Sequence, residues 1–93
     1  METKVRAHVI VYGRVQGVFF RLEAQTAAVG IGVCGWVRNC SNGTVEAVFE
    51  GERSCVNAAV EWCHRGSPLS TVDHVDVTWQ TYTGEFDGFK VAY

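Results

Sequence analysis

The segment Gly13-Arg14-Val15-Gln16-Gly17-Val18-Phe19-Phe20-Arg21 joins an alternating apolar run, residues 5–12, to a run with helical spacing, residues 20–31. A glycine-bearing loop leading from a strand into a helix gathers unpartnered backbone N–H groups around one point. The positive end of the helix dipole adds to the field there, so the place suits an anion such as phosphate. Arg21, in the first helical turn, brings a guanidinium whose planar fork can grip two phosphate oxygens together. Taken alone, glycines after a strand are also ordinary turn punctuation and a helix arginine an ordinary solvated charge. The spacing by itself leaves both readings open.

Few other polar residues suggest chemistry. Asn39 ends a short apolar run just before a turn, a place where asparagine is common for turn reasons alone. His8, His64 and His74 are scattered, with no spacing of the kind metal ligands adopt, so neither a metal nor a cofactor is expected. No Ser-His-Asp or Cys-His set can be placed. No Lys-Ser or Lys-Thr closes the glycine-bearing loop, which argues against nucleotide hydrolysis. The four cysteines (Cys34, Cys40, Cys55, Cys63) contain no Cys-x-x-Cys pair and are expected as reduced, buried or half-buried thiols. Asn39-Cys40-Ser41 and Asn42-Gly43-Thr44 fit the glycosylation pattern, but the opening Met1-Glu2-Thr3-Lys4 leads into a strand rather than an apolar leader.

The elements that must position these residues follow from periodicity. Val5, Ala7, Val9 and Val11 alternate with Arg6, His8, Ile10 and Tyr12, as in a strand with one well-buried face, and the partly apolar second face makes it an interior strand. Phe20, Ala24, Ala27, Ala28 and Ile31 recur at helical spacing, with Gly32 as the stop. Residues 33–39 and 44–50 read as strands around the hairpin signal Asn42-Gly43. A second helix follows, capped by Gly51 or Ser54, with Val56, Ala59, Val60 and Cys63 as its stripe and Trp62 beside it. Gly66 and Pro68 end it. Val75, Val77 and Trp79 alternate in a further strand, and Phe89, Val91 and Tyr93 mark a last short one, with residues 81–87 as a loose loop between. This order is α+β, the ferredoxin-like split βαβ (βαββαβ), an antiparallel sheet with two helices on one face.

With 93 residues there is room for a single domain, and the 47% hydrophobic share supports a compact core. The net charge of −2 counts against a general nucleic-acid binder. Lys4, Arg6, Arg14, Arg21 and Arg38 nevertheless fall in the first half, where they are expected to make a local positive site. No apolar run is long enough to cross a membrane.

The loop string closely resembles the signature of the acylphosphatase family. The resemblance continues through Gly35-Trp36-Val37-Arg38-Asn39, Asn42-Gly43-Thr44-Val45-Glu46, Gly66-Ser67-Pro68 and Val72-Asp73 to Gly88-Phe89-Lys90-Val91-Ala92-Tyr93, covering essentially the whole chain. It implies one acylphosphatase-like domain, residues 1–93, that hydrolyses the carboxyl–phosphate bond of a small-molecule acyl phosphate without metal and releases inorganic phosphate. The implied catalytic residues are Arg21, binding phosphate, and Asn39, orienting the attacking water. The implied binding loop is Val15, Gln16, Gly17, Val18, Phe19 and Phe20 with Arg21. A cytoplasmic monomer with no nucleic-acid or membrane partner goes with this reading. Leu22-Glu23-Ala24 stands where many relatives carry an aromatic residue and a threonine, and Cys40 replaces a frequent hydroxyl residue. The alternatives are a phosphate-binding module without turnover, as in the acylphosphatase-like domain of the hydrogenase maturation factor, and an RNA-recognition-like sheet.

Overall fold

Alternation along the first run sets the architecture. In the computed structural model, which describes residues 2–93, the elements are β1 (Lys4–Arg14), α1 (Phe20–Ile31), β2 (Cys34–Asn39), β3 (Val45–Glu52), α2 (Arg53–Arg65), β4 (Thr71–Gln80) and β5 (Phe89–Val91). The sheet order is β4-β1-β3-β2-β5, so β1 is an interior strand. Val5, Ala7, Val9 and Val11 of β1 are buried. Directly opposed residues share a face, so Val45, Ala47 and Phe49 of β3 and Val37 of β2 continue this apolar surface. Phe20, Ala24 and Ala28 from α1 and Val56, Ala59 and Cys63 from α2 are buried with it in one core. Each fully buried valine or phenylalanine there contributes roughly 1.5–3 kcal/mol relative to exposure. Phe20 meets Trp62 edge to face at 5.2 Å between centroids, which joins the helices beside the loop.

β1, β2, β3 and β4 pair antiparallel, as the split βαβ pattern requires. The added strand does not: β5 runs parallel to β2, so the sheet is mixed rather than purely antiparallel. The reason is where the chain arrives. β4 ends opposite Arg6, at the end of the sheet where β2 begins, and residues 81–88 cross that end to reach the far edge. A strand starting beside the start of β2 must run with it.

That crossing segment is tied down, contrary to the loose loop expected. The backbone N–H and hydroxyl of Thr83 and the N–H of Gly84 donate to the Glu50 carboxylate at 2.9, 2.9 and 3.0 Å. Arg6 donates to the same carboxylate at 3.1 Å, and Glu50 is 2% exposed. Arg6 therefore belongs to the helix-free face of the sheet, as does Arg38, bonded to Glu46. Lys4 sits over the Tyr82 ring. The expected positive cluster is dispersed, because strand alternation turns these residues away from the loop. A smaller expectation also changes. Neither Gly51 nor Ser54 caps α2; Glu52 precedes it, and Ser54 instead donates to Glu2. Val75, Val77 and Trp79 do alternate along β4 as expected, with Trp79 exposed near the end of this edge strand. The cysteines are free, and burial pushes the Cys63 thiol up to about 12.

Burial raises the Glu50 carboxyl, but the bonds from Thr83, Arg6 and Gly84 outweigh it and hold its pKa below the ordinary value. A carboxyl depressed in the folded state contributes stability above its unfolded pKa, and that contribution fades as pH falls through the folded value. Glu50→Gln should cost roughly 1.5–3 kcal/mol near neutrality. The gap in Tm between parent and variant should narrow once pH drops below about 4.3, which thermal unfolding across a pH series will read.

Candidate active site

The loop from β1 to α1 is shaped by what it must bury. Val15 and Val18 are core residues, with Gly17 exposed between them. The register of β1 against β4 shifts at Tyr12/Gly13. Gly13 has φ 127°, and a Cβ there would come within 2.2 Å of the Thr71 carbonyl oxygen, so the position excludes any side chain. Gly17 turns the chain at φ 73°. Phe19 then adopts φ 62°, the one positive φ at a non-glycine among the described residues. For a bulky residue that conformation costs about 1–2 kcal/mol, a strain of the kind that gathers at functional sites.

Phe19 is also the N-cap of α1, with no side-chain cap bond. Its carbonyl accepts from the Glu23 N–H at 3.0 Å, the first bond of the helix. The amides of the opening turn precede that ladder and stand at the positive end of the dipole, available to an anion.

Two side chains fix the loop from either side. Gln16 Nε2 donates to the Cys40 and Thr44 carbonyl oxygens at 2.7 and 2.9 Å, spanning from the loop to the β2–β3 turn. Ser67 donates its hydroxyl to the Val18 carbonyl oxygen at 2.7 Å. Within the β2–β3 turn, Asn42 Oδ1 accepts from the N–H and hydroxyl of Thr44, so Asn42 is occupied locally.

Asn39 is the last residue of β2 and opposes buried Val45, which places it on the helix side of the sheet. It shares with Arg21 a cleft of about 290 Å³ walled also by Val15, Gly17, Phe19, Phe20, Leu22, Val91 and Tyr93. Arg21 is held from outside the loop: Nη1 donates to the Ala92 carbonyl oxygen at 3.2 Å, and the guanidinium lies 4.8 Å from the Tyr93 ring centroid. Gln25 Nε2 donates to the Phe89 carbonyl oxygen at 3.0 Å and fastens α1 to β5 below it.

Of the residues singled out in the sequence, Val15, Gly17, Phe19, Phe20, Arg21 and Asn39 meet at this cleft. Gln16 and Val18 are in the loop but not in its wall, one side chain tying the turn and the other buried in the core. Arg14 is exposed and not in the wall. Glu23 faces a separate hollow with Trp62 and Arg65, so its charge is turned from the cleft. Cys40 places its thiol 4.0 Å from Glu46 on the other face of the sheet, as alternation after Asn39 requires. Sequence reasoning did not assign Leu22, Val91 or Tyr93 to the site. Only the parallel seating of β5 beside β2 brings the last two there, and the sequence carries no signal for it. Among the described residues no cluster of histidine, cysteine and carboxylate side chains could hold a metal ion.

The molecule is thus a small α+β domain with a ferredoxin-like core and an arginine–asparagine cleft at an uncapped helix N-terminus. The family model described as Acylphosphatase matches residues 7–91. The acylphosphatase of Pelotomaculum thermopropionicum is 54% identical over 91 residues, covering 98% of this chain and 99% of that one. The acylphosphatase of a Roseiflexus species is 52% identical over 93 residues, the full length of both. The crystal structure of acylphosphatase from Bacillus subtilis matches with a TM-score of 0.92 and 36% identity, over 96% of this chain and 99% of that one. The chain belongs to the acylphosphatase family.

The Gln16 tie carries the first test of the site. Gln16→Ala removes two side-chain bonds worth about 0.5–1.5 kcal/mol each and frees the loop from the turn that follows Asn39. Unfolding should show a loss within that range per bond. Amide exchange should quicken in residues 15–20 and 40–44 together, and quickening in only one of the two segments would mean the tie does not couple them.

Proposed function

We propose that this chain is an acylphosphatase that cleaves acyl phosphates to a carboxylate and inorganic phosphate without a metal ion, working as a single domain and a monomer. The observation that carries this reading is the meeting of Arg21 and Asn39 in one cleft, at the end of a loop whose amides open a helix. Amides of residues 15–20 and the Arg21 guanidinium bind the phosphoryl oxygens. Developing charge on those oxygens then falls among preorganised donors, where it costs little reorganisation. Asn39 holds the attacking water in line with the scissile bond, its amide accepting from the water while donating elsewhere.

A mixed carboxylic–phosphoric anhydride already carries a good leaving group, so no strong acid is needed. Among the described residues the cleft wall contains no Asp, Glu, His or Cys to serve as general base. That agrees with the mechanism implied by the family resemblance, in which a phosphate oxygen of the substrate takes the proton from water. The balance is one water consumed, one P–O bond formed and one broken, with carboxylate and phosphate released. No helix among the described residues is long and apolar enough to cross a membrane, and the proposed partner is a small molecule met in the cytoplasm.

The direct test is turnover of benzoyl phosphate, unaffected by excess EDTA. Loss of hydrolysis in chelator, with recovery on adding a divalent metal, would contradict the metal-free mechanism. Arg21→Lys keeps the charge but not the fork, and should weaken inhibition by inorganic phosphate by about 1.5–3 kcal/mol, with turnover falling at least as far. Near-parent kinetics would make Arg21 an ordinary surface residue.

Asn39→Ala separates an enzyme from a site that only binds. Misplacing the water should lower kcat and kcat/KM together by on the order of a hundredfold, with phosphate inhibition close to that of the parent. A folded Asn39→Ala protein with unchanged kcat would exclude the water-positioning role.

A further inference from the structure

Apolar surface is left in water around Arg21 to an extent the phosphate-binding reading does not explain. Phe19, Leu22 and Tyr93 are 64%, 51% and 97% exposed, yet all three border the same cleft, with Val91 completing that side. We propose that they form a subsite for the acyl half of the substrate, one that favours aromatic or aliphatic acyl groups over acyl groups bearing a second charge. The inference rests on the hydrolytic reading and names the substrate class within it.

Geometry and charge both support this assignment. The inner wall, Val15 and Phe20, is closed by the core, so a group attached to a phosphoryl at Arg21 leaves toward the rim. Phe19, the N-cap, and Leu22, in the first turn of α1, both border the cleft. Phe19 keeps its ring outside the core through its left-handed backbone. Tyr93 lies beside the Arg21 guanidinium and outside the core. Among the described residues, Arg21 carries the single charged side chain in the wall. With the phosphoryl group on it, a further carboxylate in the substrate would find no cation and would face apolar side chains, a desolvation cost without compensation. The nearest acidic side chain in sequence, Glu23, lines a different hollow, so the rim is apolar and not merely neutralised. At about 290 Å³ the cleft is at the small end of ligand sites, which suits a compact ring or short chain beside a phosphoryl group.

The test compares benzoyl, acetyl and succinyl phosphate on the parent, Leu22→Ala and Leu22→Arg. Leu22 is half exposed on a helix surface, so both replacements are compatible with folding. Intrinsic reactivity differs among the three compounds but cancels when the same ratio is compared between proteins. The benzoyl-to-acetyl ratio of kcat/KM should fall by about tenfold or somewhat less in Leu22→Ala, the scale of discrimination set by small changes in an apolar pocket. In Leu22→Arg the succinyl-to-acetyl ratio should rise. Ratios unmoved in both variants, with turnover intact, would overturn the subsite and leave the hydrolase standing. Calorimetry with phenylphosphonate and methylphosphonate, which are not hydrolysed, reads binding apart from chemistry. A preference for phenylphosphonate that Leu22→Ala abolishes supports the subsite even where turnover is absent, in which case the hydrolytic reading fails alone. Equal binding of the two phosphonates in the parent overturns the subsite.

Discussion

Between Gly13 and Phe20 the chain must leave an interior strand, bury Val15 and Val18, and enter a helix, all in one short loop. The backbone does this by turning left-handed at Gly17 and again at Phe19. The second turn is unfavourable for an aromatic residue and is paid for by the core contacts of the flanking valines and of Phe20. Its consequence is that the amides following Phe19 open α1 with no side-chain cap. Elsewhere an uncapped helix end is a modest loss of stability; here it leaves donors aimed at one point beside Arg21. Gln16 and Ser67 then hold the loop by its flanks, and because Gln16 grips the turn after Asn39, loop and asparagine keep a fixed separation.

The second half of the site comes from the far side of the sheet. Glu50, buried on the helix-free face, pins the segment that crosses from β4, and that segment delivers β5 to its place beside β2. Phe89 stacks on Phe49 at 5.4 Å and anchors the strand. Ala92 and Tyr93 follow directly and orient Arg21. A buried carboxylate with no part in the proposed chemistry thereby supports the residue that binds phosphate. The link is structural, through a continuous stretch of chain, and needs no conformational change.

Much of this was legible because the signals are local. Alternation in residues 5–12 gave an interior strand, and the spacing from Phe20 to Ile31 gave α1 with both ends correct. Arg21 and Asn39 were open to bland readings from the loop string and the strand end, and only the family resemblance implied their roles; their nearness follows from the split βαβ pattern, which sets the start of α1 beside the end of β2. What was not legible depends on long-range placement. The direction of β5 is set by where β4 ends, not by any residue in Phe89–Val91. Glu50 reads as one more polar strand residue until the crossing segment covers it. The left-handed Phe19 and the rim it makes with Leu22 and Tyr93 are likewise invisible in spacing, since nothing in an aromatic residue announces a positive φ. The dispersed basic residues show the converse error: Lys4, Arg6 and Arg38 fall near the loop in sequence, but alternation turns all three to the helix-free face.

The account stands on phosphate occupying the α1 amides beside Arg21, and amide chemical shifts measured by NMR during titration with inorganic phosphate test that directly. The backbone amides of residues 15–21 and the Arg21 side chain should shift along one saturable curve, with the Asn39 side-chain amide following weakly. Amides around His64 and Arg65, which line a hollow separate from the cleft, should stay still. Shifts centred on α2 or on the helix-free face, with the loop amides unmoved at saturating phosphate, would contradict the account.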